Sequence, residues 1–455
     1  MSQRKTGIIV LAAGLGTRMK SALPKVMHPI AGRPMIAHLL ANLAELAPDR
    51  LVVVIGEEMD SVQRAVTPHA TVVQKERLGT GHAVMAARDA MAGFDGDVLV
   101  VYGDTPLLSA ATLARMLEVR RSAPFPAVVV LGFRPDDPGA YGRLIEGDDG
   151  GLDAIVEAKD ATTEQQAVGL CNSGVMAIDG SRLFSLLDRV GNDNAKGEYY
   201  LTDIVALARA DGLPCRIVEG GDAELIGVNS RAELAVAERI VQEQLRDRAM
   251  TGGATLIDPA SVFLCHDTQL GRDVVIGPSV VFGPGVTIAD RVEIRAFCHL
   301  EGVSVATGAL VGPFARLRPG AAIGEGAHIG NFVEIKNASV ENGAKVNHLT
   351  YIGDARVGAW ANIGAGTITC NYDGYFKSHT DIGVGAFIGS NTSLVAPVKV
   401  GDGAIIGAGS VVARDVPDNA LALTRGPHAE KNGWARDFRE RRAAEKTASS
   451  TSRKS

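Results

Sequence analysis

Apolar residues follow two different rhythms along this chain. Up to about residue 228, short β-branched runs alternate with longer stretches of helical period. GIIVLAAG, RLVVVIG, ATVVQ, DVLVVYGD and AVVVLGF read as strands, and PMIAHLLANLAEL reads as an amphipathic helix. Continuously apolar runs predict strands covered on both faces, and hence a mostly parallel α/β layer structure. Ligands of such sheets sit beyond the carboxyl ends of the strands. The loop after the first strand, Gly14 to Lys25, and the loop holding Asp104 after VLVVYGD are two such ends.

SRAELAVAERIVQEQLRDRA, residues 230 to 249, predicts the clearest helix. Ser230 and Glu233 form an S-x-x-E capping box, Leu234, Ala237, Val241 and Leu245 keep to one stripe, and MTGGA ends the pattern. Beyond this bridge the period becomes six. Aliphatic or aromatic anchors fall at Leu264, Leu270, Ile276, Phe282, Ile288, Ile294 and Leu300, then from Val311 to Ile335 and from Ile382 to Val412. A six-residue step marks a parallel β-helix in which each hexapeptide is one short strand and turn, with about three steps per coil. Between Ile363 and Ile382 the rhythm fails, and TCNYDGYFKSHTD predicts a loop thrown off the solenoid. The tail from Arg436 lacks a core-forming pattern and is expected to be frayed and solvated. The expected domains are therefore 1–228, a linker helix 229–250, a solenoid 251–427 and a polar tail 428–455.

Composition narrows the function classes. With 46% apolar residues and a net charge of -6 in 455 residues, the chain is expected to be a globular protein of two or three domains, with no nucleic-acid partner. The apolar run at the start is too short for a signal peptide and ends at glycines and Arg18; no run approaches the roughly 18 residues of a membrane span. Cys171, Cys215, Cys265, Cys298 and Cys370 are scattered and lack C-x-x-C spacing, which fits reduced thiols in a cytoplasm.

The turn LAAGLGTRMKSALPKV, residues 11 to 26, offers Gly14 and Gly16 as half of G-x-G-x-x-G, but Met19 stands at the third glycine's place and no G-K-[ST] follows. Its amides, Ala13 to Thr17, can converge on phosphate oxygens, with Arg18 and Lys25 adding positive charge. A plain turn with surface cations explains the same residues. The whole pattern L-A-A-G-x-G-T-R-M-x-S-x-x-P-K, however, resembles the signature loop of sugar-nucleotide pyrophosphorylases, which join a nucleoside triphosphate to a sugar 1-phosphate. The resemblance implies nucleotide contacts at Leu11, Ala12, Ala13, Gly14 and Lys25, and at Gln74, Gly79 and Thr80 of QKERLGTGHA. It implies magnesium ligands at Asp104 of YGDTPLL and Asn229 of IGVNSR, and a sugar site at Gly142, Glu157 and Asn172. Asp104 taken alone reads equally as a helix cap. In such a transfer a sugar-phosphate oxygen attacks the α-phosphorus and pyrophosphate leaves in line, so catalysis is alignment and charge neutralisation by Mg²⁺, Arg18 and Lys25.

The solenoid's polar residues collect near its irregular coils: Arg318, Lys336, His348, Tyr351, Asn362, Asn371 and Tyr372. RLRPG, FVEIKN, NHLTYIGD and NIGAGTITCNYDG resemble the acetyltransferase half of the bacterial family of bifunctional N-acetylglucosamine-1-phosphate uridyltransferases/glucosamine-1-phosphate acetyltransferases. With the amino-terminal motifs the resemblance spans nearly the whole chain. It implies a Rossmann-like domain followed by a left-handed β-helix, UTP and acetyl-CoA as co-substrates, and a cytoplasmic homotrimer with no membrane partner, making UDP-N-acetylglucosamine for the cell envelope. By the same resemblance His348 is a general base, Arg318 and Lys336 clamp the sugar phosphate, and Tyr351, Asn362 and Asn371 hold the sugar. Ala365 stabilises the thioester oxyanion with its amide, and Asn371, Tyr372, Ser390, Ala408 and Arg425 meet acetyl-CoA.

A wholly non-catalytic binding protein is disfavoured because both sets of motif residues are intact, and two rivals remain at this level. One is a pyrophosphorylase whose solenoid serves only assembly. The other is a zinc site of His299, His328 and His348, whose separations of 29 and 20 residues are uneven against an 18-residue coil.

Overall fold

Each of the five β-branched runs forms a strand in the computed structural model, which describes residues 4–194, 197–424 and 426–451. They are β1 (Thr6–Leu11), β2 (Arg50–Gly56), β3 (Ala70–Gln74), β4 (Asp97–Tyr102) and β5 (Val128–Phe133). Two further strands, β6 (Cys171–Asp179) and β7 (Cys215–Glu219), complete a sheet in the order β7-β5-β6-β4-β1-β2-β3, with a hairpin of Arg143–Glu146 and Leu152–Val156 beside β6. In that order only β6 runs antiparallel to its neighbours. Its apolar pattern is weak because it opens on Cys-Asn-Ser-Gly and shifts register between Asn172 and Met176. Along β1, Ile9 and Leu11 join one buried cluster and Ile8 and Val10 another. Both faces are therefore covered, as continuous apolar runs require.

Four helices matter below: α1 (Met35–Ala44), α2 (Ala110–Arg121), α3 (Arg231–Thr251) and α4 (Trp434–Thr451). At the start of α3 the Ser230 hydroxyl oxygen accepts from the Glu233 amide. The Glu233 carboxylate, however, accepts from the Asn229 amide at 2.8 Å and the Ser230 hydroxyl at 2.9 Å, so the expected box is displaced by one residue. That displacement fixes the backbone of Asn229. Ala237 and Val241 of α3 pack with Ile30, Ala31, Met35 and Val228.

The solenoid stacks short parallel strands. Ile276, Ile294, Val311, Ile329, Val346, Ile363, Ile388 and Ile406 lie in register, one above the next. Their spacing is 17 or 18 residues except for the 25 between Ile363 and Ile388, where residues 371–379 leave the coil. The expected loop is thus shorter than the irregular sequence. Thr369 and Cys370 remain in the strand Ile368–Cys370, and Thr380 and Asp381 in Thr380–Ile382. Of the anchors named from Leu264 to Leu300, all are buried but Leu270, which is half-buried.

The tail differs from expectation in being helical. Arg, Glu and Ala have high helix propensity, and Trp434 stacks on Phe438 one turn later at 5.2 Å, while the side chains from 434 to 445 stay exposed. Contacts divide the chain into two units. One runs to Gly252 and includes Pro259–Thr268 and Phe282–Pro284, and the other holds the rest of the solenoid. The five cysteines are free thiols, and among the described residues no helix is long and apolar enough to cross a membrane.

Candidate functional site

In the first unit the carboxyl ends of β1, β3 and β4 open on a cleft of about 230 Å³. Its walls bring together Leu11, Ala12, Ala13, Gly14, Lys25, Gln74, Gly79, Thr80 and Asp104, which are scattered over 94 residues of sequence. Two glycines make this possible. Gly16 has φ 63°, and a Cβ there would lie 2.6 Å from the Cβ of Lys25. Gly79 has φ 106°, and its Cβ would lie 2.6 Å from the carbonyl oxygen of Tyr199. Any side chain would push the Lys25 segment, or the 79–80 turn, out of the cleft wall.

The amides of Ala13 to Thr17 have no acceptor among the described residues. They form a row of free donors at the mouth of the cleft, the arrangement that binds phosphate oxygens. At its edge the Lys25 ammonium bonds the Asp104 carboxylate, and the Asn229 Oδ1 lies 3.0 Å from the same nitrogen. An anionic and an amide oxygen thus converge on one cation. Asn229 is held for this by its Nδ2, which donates to the Gly227 carbonyl at 3.0 Å, and by its amide on Glu233. Gln74 Nε2 donates to the Gly79 carbonyl at 3.2 Å.

Not every expected residue reaches the cleft. Arg18 is exposed and makes no ion pair among the described residues. Gly142, Glu157 and Asn172 form a neighbouring group instead, in which the Asn172 amide donates to the Gly142 carbonyl at 2.8 Å. Tyr102 links the two groups. Burial, then the charge of Asp104, pushes its phenol well above the ordinary range, against a hydrogen bond to Thr80, and the Glu157 carboxylate acts in the same upward sense.

Along one corner of the solenoid, backbone hydrogen bonds run from coil to coil. Leu349 N donates to Asn331 O, Gly366 N to His348 O, Asn391 N to Ala365 O and Gly409 N to Ser390 O. His348, Ala365, Ser390 and Ala408 therefore stand in one column. Asn331 and His348 are register partners, and the Asn331 Oδ1 lies 2.8 Å from His348 Nδ1. A carboxamide oxygen only accepts, so Nδ1 carries the proton and Nε2 offers its lone pair outward. The His348 side chain is exposed, and the Ala365 amide has no acceptor among the described residues.

A second polar group gathers around Asp354. Asn337 Nδ2 donates to it at 2.6 Å and Asn371 Nδ2 to its other oxygen. Burial pushes this carboxyl up, but the two amides and the charges of Lys377 and Lys336 outweigh it and hold it below the usual range. Lys336 contacts Lys377, and that contact, with the charge of Lys377 and more weakly of Arg318, lowers the ammonium's pKa. Three cations are crowded here, while Arg318 keeps one partner, Glu334, at 2.7 Å. Tyr351 pairs in register with Glu334, and Asn362 with Lys345. The Tyr372 hydroxyl donates to the Gly374 carbonyl at 2.6 Å. No hydrogen bond or ion pair joins this group to His348 among the described residues. Arg425 lies outside them.

Residues 8–146 match the MobA-like NTP transferase domain, and residues 267–302 and 379–414 match the bacterial transferase hexapeptide (six repeats). Curated relatives extend the likeness to full length. The bifunctional protein GlmU of Paramagnetospirillum magneticum is 66% identical over 98% of this chain and 99% of its own. That of Rhodospirillum rubrum is 69% identical over 96% of this chain and 97% of its own, and that of Sphingopyxis alaskensis 57% over 96% and 98%. The chain belongs to the GlmU family. It is a bifunctional enzyme, a uridyltransferase and an acetyltransferase.

Four residues that motif reading passes over stand in the candidate sites described above. Arg77 donates from Nε to the Ala13 carbonyl at 2.9 Å and ties the two loops of the cleft together, and Tyr102 lines its floor. Lys377 joins Lys336 from within the irregular loop. Asn331 is signalled only by the solenoid period, since it stands 17 residues, one coil, before His348.

Proposed function

We propose that uridylyl transfer from UTP to N-acetylglucosamine 1-phosphate is carried out by residues 1–228 with Asn229 at the start of the linker helix, and acetyl transfer from acetyl-CoA to glucosamine 1-phosphate by residues 251–427, in the cytoplasm. The observation that carries the first assignment is the convergence of Asp104, Asn229 and Lys25 beside a row of free amides. Those amides hold phosphate oxygens, Gln74, Gly79 and Thr80 face the base, and Gly142, Glu157 and Asn172 face the sugar. The two oxygens already share one cation, and so few protein donors suit Mg²⁺, which retains several waters. Held by Asp104 and Asn229, Mg²⁺ would neutralise phosphate charge. Lys25 and the unpaired Arg18 are then free to pair with the triphosphate while the sugar-phosphate oxygen displaces pyrophosphate.

In the second reaction His348 Nε2 takes a proton from the 2-amino group as that nitrogen bonds the acetyl carbon. The carbon–sulfur bond breaks and coenzyme A leaves as its thiol, the thiolate taking the proton held on the His348 imidazolium. The Ala365 amide faces the developing oxyanion, a contact commonly worth about 3 kcal/mol. Arg318, Lys336 and Lys377 attract the sugar phosphate, and Tyr351, Asn362 and Asn371 hold the sugar. Tyr372, Ser390, Ala408 and Arg425, with Asn371, meet acetyl-CoA. The pair His348–Asn331 supports this reading and gives a test. Asn331→Asp places a negative charge against the imidazole, so the acid limb of the acetyl-transfer pH profile should move to higher pH, with the uridylyl profile unchanged. An unmoved acid limb would remove Asn331 from any part in setting the base.

The assembly is a homotrimer in this reading. Phe297, Phe314 and Phe332 stack at 4.9 and 5.1 Å yet are 54%, 44% and 55% exposed, and Leu349 beside His348 is 64% exposed. Such an apolar ladder at the column of His348 fits a face covered by further copies of the chain. Phe314→Glu should give monomers in light scattering and lose acetyl transfer while keeping uridylyl transfer. A trimer of full acetyl activity would refute that face.

A further inference from the structure

We propose that the first unit carries a second anion-binding site, built for a small phosphoryl anion of the pyrophosphate class. The site is a cavity of about 250 Å³ that shares no lining residue with the nucleotide cleft. Helix α1 contributes His38 and Asn42 from successive turns, and α3 contributes Gln244 and Arg248, while Arg33 and His266 close it. His266 belongs to the segment Pro259–Thr268, which packs as part of this unit.

Charge is what marks the cavity. Arg33 and Arg248 line it and make no ion pair among the described residues, and no carboxylate lines it. Two acids stand close by: Glu238, whose oxygens accept from the Ala31 amide at 2.7 Å and from Gln242 Nε2 at 2.9 Å, and Asp267, whose carboxylate lies within 4.8 Å of a His266 ring nitrogen. His38 Nε2 lies 2.9 Å from the Ile30 carbonyl, and His266 Nδ1 lies 3.3 Å from that of Ala31. His38 Nδ1 is left without a hydrogen-bond partner among the described residues. Burial first, then the charges of Arg33 and His266, lowers the pKa of His38 against its carbonyl contact and Glu238. Two guanidinium groups, two imidazoles and two carboxamides around one space match an anion with several acceptor oxygens, and arginine forks match phosphoryl geometry in particular.

The cavity also has a route to the chemistry. Pro106 and Leu107 form part of its wall, two and three residues after Asp104, and Asn42 Nδ2 donates to the Leu108 carbonyl at 2.9 Å. An anion held here would bear on the loop that presents Asp104.

The test is calorimetric titration of the full-length protein with inorganic pyrophosphate, without divalent metal and at constant ionic strength. Wild type should show a site that survives Lys25→Gln, which affects only the cleft. Arg33→Gln with Arg248→Gln should weaken that site at least ten-fold, with an unchanged circular dichroism spectrum. Arg248→Gln alone, on an exposed helical position, should weaken it measurably should the double variant misfold. Inorganic phosphate should compete for the same site, and chloride should not. Loss of all pyrophosphate binding in Lys25→Gln, unaltered binding in the arginine variants, or equal competition by chloride would each overturn the proposal.

Discussion

His348→Ala should release no measurable coenzyme A thiol from acetyl-CoA and glucosamine 1-phosphate, while pyrophosphate release from UTP and N-acetylglucosamine 1-phosphate continues at the wild-type rate. General-base catalysis contributes about 10²- to 10⁴-fold, and among the described residues that the coil-to-coil bonds set in this column His348 is the one histidine. The residue is exposed at the end of a strand and is anchored by backbone bonds that do not involve its ring, so truncation leaves the coil stacking intact. Loss of pyrophosphate release as well would point to collapse of the fold, and undiminished thiol release would take His348 out of the mechanism. Asn331→Asp distinguishes a base from a bystander, because only a base transmits that added charge to the pH profile.

Asp104→Ala should give the opposite pattern, with uridylyl transfer falling about 10²- to 10³-fold and acetyl transfer unaffected. Two consequences of the geometry combine. Asp104 is the only carboxylate in contact with Lys25 among the described residues, and it supplies the one anionic oxygen beside the amide oxygen of Asn229. Without it a metal would be held by a single neutral donor. Asp104→Asn keeps the shape and removes the charge, so it should lose most of the same activity and demand far more Mg²⁺ for half-maximal rate. A variant as active as wild type at low Mg²⁺ would exclude Asp104 as the metal ligand. Pyrophosphate release against Mg²⁺ concentration measures both outcomes.

The periods were legible before any coordinates. The runs RLVVVIG and ATVVQ correspond residue for residue to β2 and β3; β2 is buried from Val52 to Gly56, as an apolar run requires, whereas the edge strand β3 buries only Gln74 and keeps its strand form through β-branched residues. The β-helix was equally plain, since every coil repeats the same inward position and a polar residue there would be stranded. β6 was not, because its opening residues are polar and its pairing with β5 shifts register. The tail showed no apolar stripe, and its helix is of the kind that local propensity alone supports.

The candidate sites divide in the same way. Local motifs pointed to Leu11 to Gly14, Lys25 and the 79–80 turn, because glycine at a positive φ leaves a mark in the sequence itself. Contacts between segments left none. That Lys25 pairs with Asp104 and Asn229, 79 and 204 residues away, follows from the order in which strands stack. That Asn331 meets His348 follows from the pitch of one coil, and that Arg33, Arg248 and two histidines face one cavity follows from how α1 and α3 pack. Sequence alone determined most of the elements, because burial acts on each position along its own period. Tertiary structure decided which charges meet, because electrostatic and hydrogen-bond energies depend on distances in space that the spacing along a chain does not encode.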